Sequence, residues 1–128
     1  MRLLIIEENA IIGEDLELSA LDLGFREIMR AHDEAAAIEM ARAHPPDLIV
    51  CDVRLGASTP GVRAVNEILH HGPAAIVFLT GLLPGNEIVV DDAGVAMLGK
   101  PFNTRGLREA ISRTTTKPAG SYVQVVIR

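Results

Sequence analysis

A chain of 128 residues with 48% hydrophobic side chains is the right size for one domain around one core, so two domains are not expected. The formal charge of -5, from 12 Lys and Arg against 17 Asp and Glu, leaves no general basic surface for phosphate backbones or anionic membranes. Neither nucleic-acid binding by the domain nor membrane attachment is expected.

The chain begins Met1-Arg2, passes through Leu3-Leu4-Ile5-Ile6 and meets Glu7-Glu8. That apolar run is too short for a signal peptide or a membrane span, and a cytoplasmic protein is expected. Residues 2–6 read as a buried strand, and Asn9 can cap the helix that follows. Ile12, Leu16, Ala20 and Leu23 recur at helical spacing within 10–23, with Glu14, Asp15, Glu17 and Asp22 on other faces. Gly24 ends that helix. Phe25 to Arg30 is a shorter, more polar strand suited to a sheet edge. Asp33 caps an alanine-rich helix over about 34–43, with Ala35, Ile38 and Ala41 inward, and Pro45-Pro46 prevents its continuation.

Leu48-Ile49-Val50-Cys51 is apolar without alternation, the pattern of a strand buried on both faces, and it stops on Asp52. Cys51 is the one cysteine and reads as a small buried hydrophobe with no redox role. A turn-rich loop over Gly56 to Gly61 leads to a helix with Val62, Val65 and Leu69 on one face, closed by His70-His71-Gly72-Pro73. The histidine pair fits a solvated helix terminus better than a metal or phosphohistidine site. Ala74 to Leu79 is another apolar strand, ending at Thr80-Gly81. Pro84-Gly85 interrupts the next stretch, where Asn86 to Val90 could make a short helix. Val95 to Leu98 is the last core strand, ending at Gly99-Lys100-Pro101, and Leu107, Ala110 and Ile111 mark a closing helix over about 104–113. Thr114 to Gly120 opens a flexible tail. Tyr122 to Ile127 is β-prone, and could add to a sheet edge, pair with a second copy or fray.

Five strands alternating with five helices, without a long-period repeat, argue for an α/β fold: a parallel sheet with helices on both faces. Strand ends in such a sheet point into one crevice, so Glu7-Glu8, Asp52, Thr80 and Lys100 become neighbours. Each has an ordinary competing role: favourable charge at a helix start, turn former, or solvated surface charge. Carboxylates gathered there repel by roughly 4 kcal/mol per close pair at an effective dielectric near 20. Lys100 supplies one cation, and Mg²⁺ is a natural second because it accepts one or two carboxylates while keeping waters and a phosphoryl oxygen. Asp52 can then attack phosphorus, Thr80 donate its hydroxyl to the new phosphoryl group, and Lys100 pair with it.

Over residues 2 to 113 the sequence resembles the response regulator receiver domains of bacterial two-component signalling. The resemblance rests on Leu4-Ile5-Ile6-Glu7-Glu8, Asp47-Leu48-Ile49-Val50-Cys51-Asp52, Phe78-Leu79-Thr80-Gly81 and Gly99-Lys100-Pro101-Phe102 in that order. It implies a flavodoxin-like doubly wound (βα)5 domain over 1–115 with strand order 2-1-3-4-5, and a tail over 116–128. It further implies Asp52 as phosphoacceptor, Glu7 and Glu8 as the acidic pair, Thr80 as switch hydroxyl, Lys100 as the family's lysine and a cis Lys100–Pro101 peptide. The implied Mg²⁺ is held by Glu8, Asp52 and the backbone carbonyl of Arg54. The implied phosphoryl donor is a phosphohistidine on a kinase or phosphotransfer protein, and the output is a conformational shift read by a downstream protein. The Phe78–Gly81 and Asp52–Gly56 stretches are similar to a subgroup linked to stress signalling. Arg54 and Leu82 stand where the family tunes phosphoryl lifetime.

Three departures stand out. Met97 occupies the position where the family usually has a switching Tyr or Phe. The acidic pair is Glu-Glu, and the fourth helix is short and interrupted. A stand-alone phosphorylatable receiver with no effector domain is the first expectation, and a pseudo-receiver that binds without switching is the second. A Mg²⁺-dependent phosphohydrolase would need an acid-base residue just beyond the nucleophile and a cap; Val53-Arg54 supplies neither, so an enzyme is not expected.

Overall fold

The computed structural model describes residues 1–53, 60–81, 88–90, 94–114 and 125–127. Strand β1 (Arg2–Ile6) is followed by helix α1 (Ala10–Asp22), β2 (Glu27–Ala31), α2 (Glu34–Ala43), β3 (Leu48–Asp52), α3 (Pro60–Leu69) and β4 (Ala75–Thr80). Then come β5 (Ile88–Val90), β6 (Val95–Gly99), α4 (Thr104–Thr114) and β7 (Val125–Ile127). The main sheet is parallel throughout in the order β2-β1-β3-β4-β6, which is 2-1-3-4-5 when only its own strands are counted.

Side chains alternate across the sheet. Leu3, Ile5, Leu48, Val50 and Leu79 pack with Leu16 and Ala20 of α1 and Leu107 and Ala110 of α4. Leu4, Ile6, Ile49, Cys51 and Phe78 face α2 and α3 through Ala37, Ala41, Val65 and Leu69. Both faces are covered, which is why β1, β3 and β4 read as continuous apolar runs. Each fully buried Leu, Ile, Val or Phe contributes about 1.5–3 kcal/mol. The edge strand β2 needs less of this, and most of its residues stay half-buried or exposed.

Local chemistry fixes the helix ends. Asn9 Oδ1 accepts from the N–H of Ile11 (2.9 Å) and Ile12 (3.1 Å), and Asp33 Oδ1 accepts from Ala36 (2.7 Å). Helix α1 closes in a Schellman motif: Phe25 N–H donates to Ala20 O, Gly24 N–H to Leu21 O, and Gly24 takes φ +98°. That closure uses Phe25, so β2 begins two residues later than the sequence pattern suggested.

Three expectations need correction. The described residues contain four helices: within the stretch expected as a helix, Asn86 and Glu87 lie outside the described residues and Ile88–Val90 is a strand. Its partner is β7, antiparallel, with Ile88 opposite Ile127 and Val90 opposite Val125. Of the alternatives open for Tyr122 to Ile127, Val125–Ile127 thus forms a strand paired with Ile88–Val90 in a separate two-stranded sheet; three consecutive β-branched residues on each strand favour this extended pairing. On α2 Ala37 and Ala41 are buried and Ile38 packs half-buried against the same core, as expected for Ile38 and Ala41, while Ala35 is exposed, because the helix turns its face toward α3, β2 and β1.

Candidate functional site

Parallel register carries four strand ends to one edge. Ile6 pairs with Cys51, Asp52 with Leu79 and Thr80 with Gly99, so the residues just beyond β1 and β6 flank the ends of β3 and β4. Backbone bonds continue past the strands: Glu7 N–H donates to Ala31 O (3.0 Å), Val53 N–H to Leu79 O (3.0 Å) and Lys100 N–H to Thr80 O (2.8 Å). The side-chain positions therefore rest on the sheet and not on loops alone.

Glu7, Asp52 and Lys100 meet there. Lys100 Nζ forms an ion pair and hydrogen bond with Asp52 Oδ2 and lies 3.8 Å from Glu7 Oε2. Glu7 is 4% exposed and Asp52 8%. Glu7 Oε1 accepts from Asn9 N–H at 3.2 Å, so the helix cap also anchors the carboxylate. Thr80 is half-buried at the end of β4, and Gly81 follows it against the Lys100 stem (3.8 Å from an added Cβ). The Lys100–Pro101 peptide is cis. Glu8 is exposed one residue beyond Glu7. Met97 sits opposite Phe78, half-buried against the α2–α3 side of the core. Arg54 and Leu82 lie outside the described residues.

This edge matches a known family. Residues 3–112 match the response regulator receiver domain. The chain belongs to the response regulator receiver family. It is 33% identical over 118 residues to the transcriptional regulatory protein PdtaR of Mycobacterium tuberculosis, covering 91% of this chain and 57% of that protein. The Bacillus subtilis chemotaxis protein CheY is 27% identical over 116 residues, covering 88% of this chain and 96% of CheY. Among solved structures, the anti-anti-sigma factor PhyR from Bartonella quintana superposes with a TM-score of 0.74 at 28% identity, covering 90% of this chain and 47% of that one. The receiver domain thus spans little more than half the length of PdtaR. PdtaR is a transcriptional regulatory protein and CheY a chemotaxis protein. Among its described residues no helix is long and apolar enough to cross a membrane.

The electrostatics of the receiver domain's site are unbalanced in a way that favours a further cation. Two buried carboxylates share one ammonium, and Glu7 Oε2 is buried without a hydrogen-bond partner. No group of three or more His, Cys, Asp or Glu side chains forms a cage among the described residues. A hard cation that keeps most of its waters needs none: one or two carboxylates suffice for Mg²⁺, and the orphaned Glu7 oxygen beside Asp52 fits that demand.

Burial first, then the Asp52 charge, push the Glu7 pKa up from 4.5 to about 7, against the opposing Asn9 N–H and Lys100. The same surroundings raise the Cys51 thiol well above its ordinary value, consistent with an inert buried thiol: burial first, then Asp52 and Glu7. For Glu7 the sign is that of an acid whose folded pKa exceeds its unfolded one. Below about pH 4.5 both states hold the proton and nothing is lost. Between there and about pH 7 the folded state binds more protons than the unfolded chain, so stability declines with rising pH, by about 3 kcal/mol in total. In EDTA, Glu7→Gln should therefore gain stability over wild type as pH rises from 5 to 8, read from urea unfolding midpoints. A wild-type minus variant difference that stays flat across that range would refute the shift.

Two structural parts of the site were not singled out from sequence. The sequence marks Asn9 as a helix cap, and its N–H contact to Glu7 depends on the tight turn between β1 and α1. The second is the approach of Gly61, in the first turn of α3, to Asp52; a glycine after Thr59-Pro60 reads as an ordinary turn residue and gives no distinguishing signal.

Proposed function

We propose that the receiver domain accepts a phosphoryl group on Asp52 with Mg²⁺ and signals by contact with another protein. The observation that carries this reading is the buried Asp52 carboxylate paired to Lys100 beside Glu7. A carboxylate held by a lysine at the rim of a parallel sheet is positioned to attack a phosphoryl group brought to that edge. An Asp52 Oδ forms the new bond to phosphorus as the bond from phosphorus to the donor's imidazole nitrogen breaks. Lys100 then follows the charge onto a phosphoryl oxygen, and the Thr80 hydroxyl donates to another. Glu7 and Glu8, Asp52 and the Arg54 carbonyl are the residues that would hold Mg²⁺. The ion would offset charge on the equatorial oxygens. The decisive test is intact-mass analysis after acetyl phosphate and Mg²⁺: one phosphoryl adduct is expected, and none would sink the reading.

The donor is a phosphohistidine on a histidine kinase or phosphotransfer protein, and α1 offers it a surface. Ile11, Leu18 and Leu21 are 73%, 57% and 44% exposed. A groove of about 630 Å³, lined in part by Ile12, Leu18, Pro101 and Phe102, runs from that helix to Lys100. Leu18→Asp is expected to slow transfer from the cognate kinase by about tenfold, the equivalent of about 1.4 kcal/mol of lost contact. Labelling by acetyl phosphate should not change. Equal loss with both donors would argue against docking on α1.

The similarity to an anti-anti-sigma factor favours output by protein contact. A pseudo-receiver that binds without switching is the second reading, favoured by Met97 in the relay position. Amide chemical shifts separate the two. Shifts across β4 and β6 on adding Mg²⁺ and beryllofluoride support the switch, and unchanged shifts with partner binding retained in Asp52→Ala support the pseudo-receiver.

A further inference from the structure

The peptide that follows Asp52 is enclosed on three sides. Val53 N–H donates to Leu79 O at 3.0 Å. Cys51 Sγ lies 3.1 Å from the Asp52 carbonyl oxygen and 3.6 Å from Gly61 O, so its single S–H proton has an acceptor in either direction. On the remaining side the first turn of α3 closes directly onto β3. A Cβ on Gly61 would fall on the Asp52 carbonyl oxygen and stand 3.0 Å from that of Val53. Backbone cannot yield as a flexible side chain can, so any residue but glycine must push α3 and the end of β3 apart.

We infer that Gly61 and Cys51 are positioning residues for the phosphoacceptor: they clamp the Asp52–Val53 peptide between α3 and β4. The inference rests on Asp52 being the acceptor. A clamped peptide plane fixes where the Asp52 side chain leaves the backbone. Cys51, fully buried and one residue before the acceptor, places a side-chain donor within reach of this carbonyl. It acts as a hydrogen-bond donor within the strand, with no part in redox chemistry.

The test is the maximal rate of Asp52 labelling at saturating Mg²⁺ and acetyl phosphate, measured on wild type, Gly61→Ala, Cys51→Ala and Cys51→Ser. Misplacing a reacting group by a fraction of an ångström to one ångström should slow Gly61→Ala on the order of tenfold to a hundredfold, with far-ultraviolet circular dichroism retained. Cys51→Ser keeps a donor and should label about fivefold faster than Cys51→Ala, the worth of one ordinary hydrogen bond. Simple loss of packing would not restore the rate in the serine variant, which is no larger than cysteine and more polar. Gly61→Ala labelling at the wild-type rate overturns the clamp. If Gly61→Ala does not fold, equal rates for Cys51→Ala and Cys51→Ser overturn it. An unlabelled wild type overturns the acceptor reading, and the clamp with it.

Discussion

Asp52→Ala is expected to abolish Mg²⁺-dependent labelling by acetyl phosphate, a loss of at least about 10⁴-fold, as for other removed nucleophiles. Among the described residues, neither neighbouring carboxylate is placed to take over. Glu7 is 4% exposed, with one oxygen engaged by the Asn9 N–H, and its raised pKa leaves it about half protonated near neutrality. Glu8 is exposed beyond the strand end, outside the Lys100 pairing. Intact mass and hydroxylamine sensitivity, which marks an acyl phosphate, provide the measurement. Undiminished label in the variant would place the acceptor elsewhere. The substitution has a second expected consequence. Removing Asp52 takes away the second-largest cause of the Glu7 shift, so the Glu7 pKa falls back toward the ordinary carboxylate range while burial still holds it above.

Lys100→Met should destabilise the metal-free protein by about 2–3 kcal/mol at pH 8. Breaking a fully buried ion pair costs about 3–5 kcal/mol, and this pair is worth less because the Lys100 side chain is 23% exposed. The methionine keeps the apolar stem against Gly81 while deleting the one charge that Asp52 and Glu7 share. The deficit should shrink toward pH 5, where Glu7 holds its proton and the lost ammonium faces one buried carboxylate charge instead of two. Adding Glu7→Gln to Lys100→Met should recover part of it at pH 8. Urea unfolding of the four proteins in EDTA forms a double-mutant cycle, and strict additivity at pH 8 would show that Glu7 and Lys100 are uncoupled.

Much of the fold was written locally. Leu48 to Cys51 had to be a strand buried on both faces, and β3 is buried along its whole length. Asn9, Gly24 and Asp33 announced helix ends by chemistry that acts within four residues, and the structure uses each in that way. Where the sequence misled, the missing information was distant. Asn86 to Val90 resembles a short helix because nothing beside it shows that Val125 to Ile127 will pair with it. Ala35 and Ala37 are chemically alike, and only the angle at which α2 meets the sheet and α3 decides which is buried.

The site divides in the same way. That carboxylates, a hydroxyl and a lysine stand at strand ends follows from the sequence itself, because apolar runs stop on them and parallel strands align their ends. What only the tertiary structure decided is which of them interact and on what terms. It buried Glu7 and left Glu8 exposed, gave Lys100 to Asp52, and set α3 against the Asp52 carbonyl through Gly61. Burial and distance set the strength of a charge interaction, and both depend on how separate segments pack.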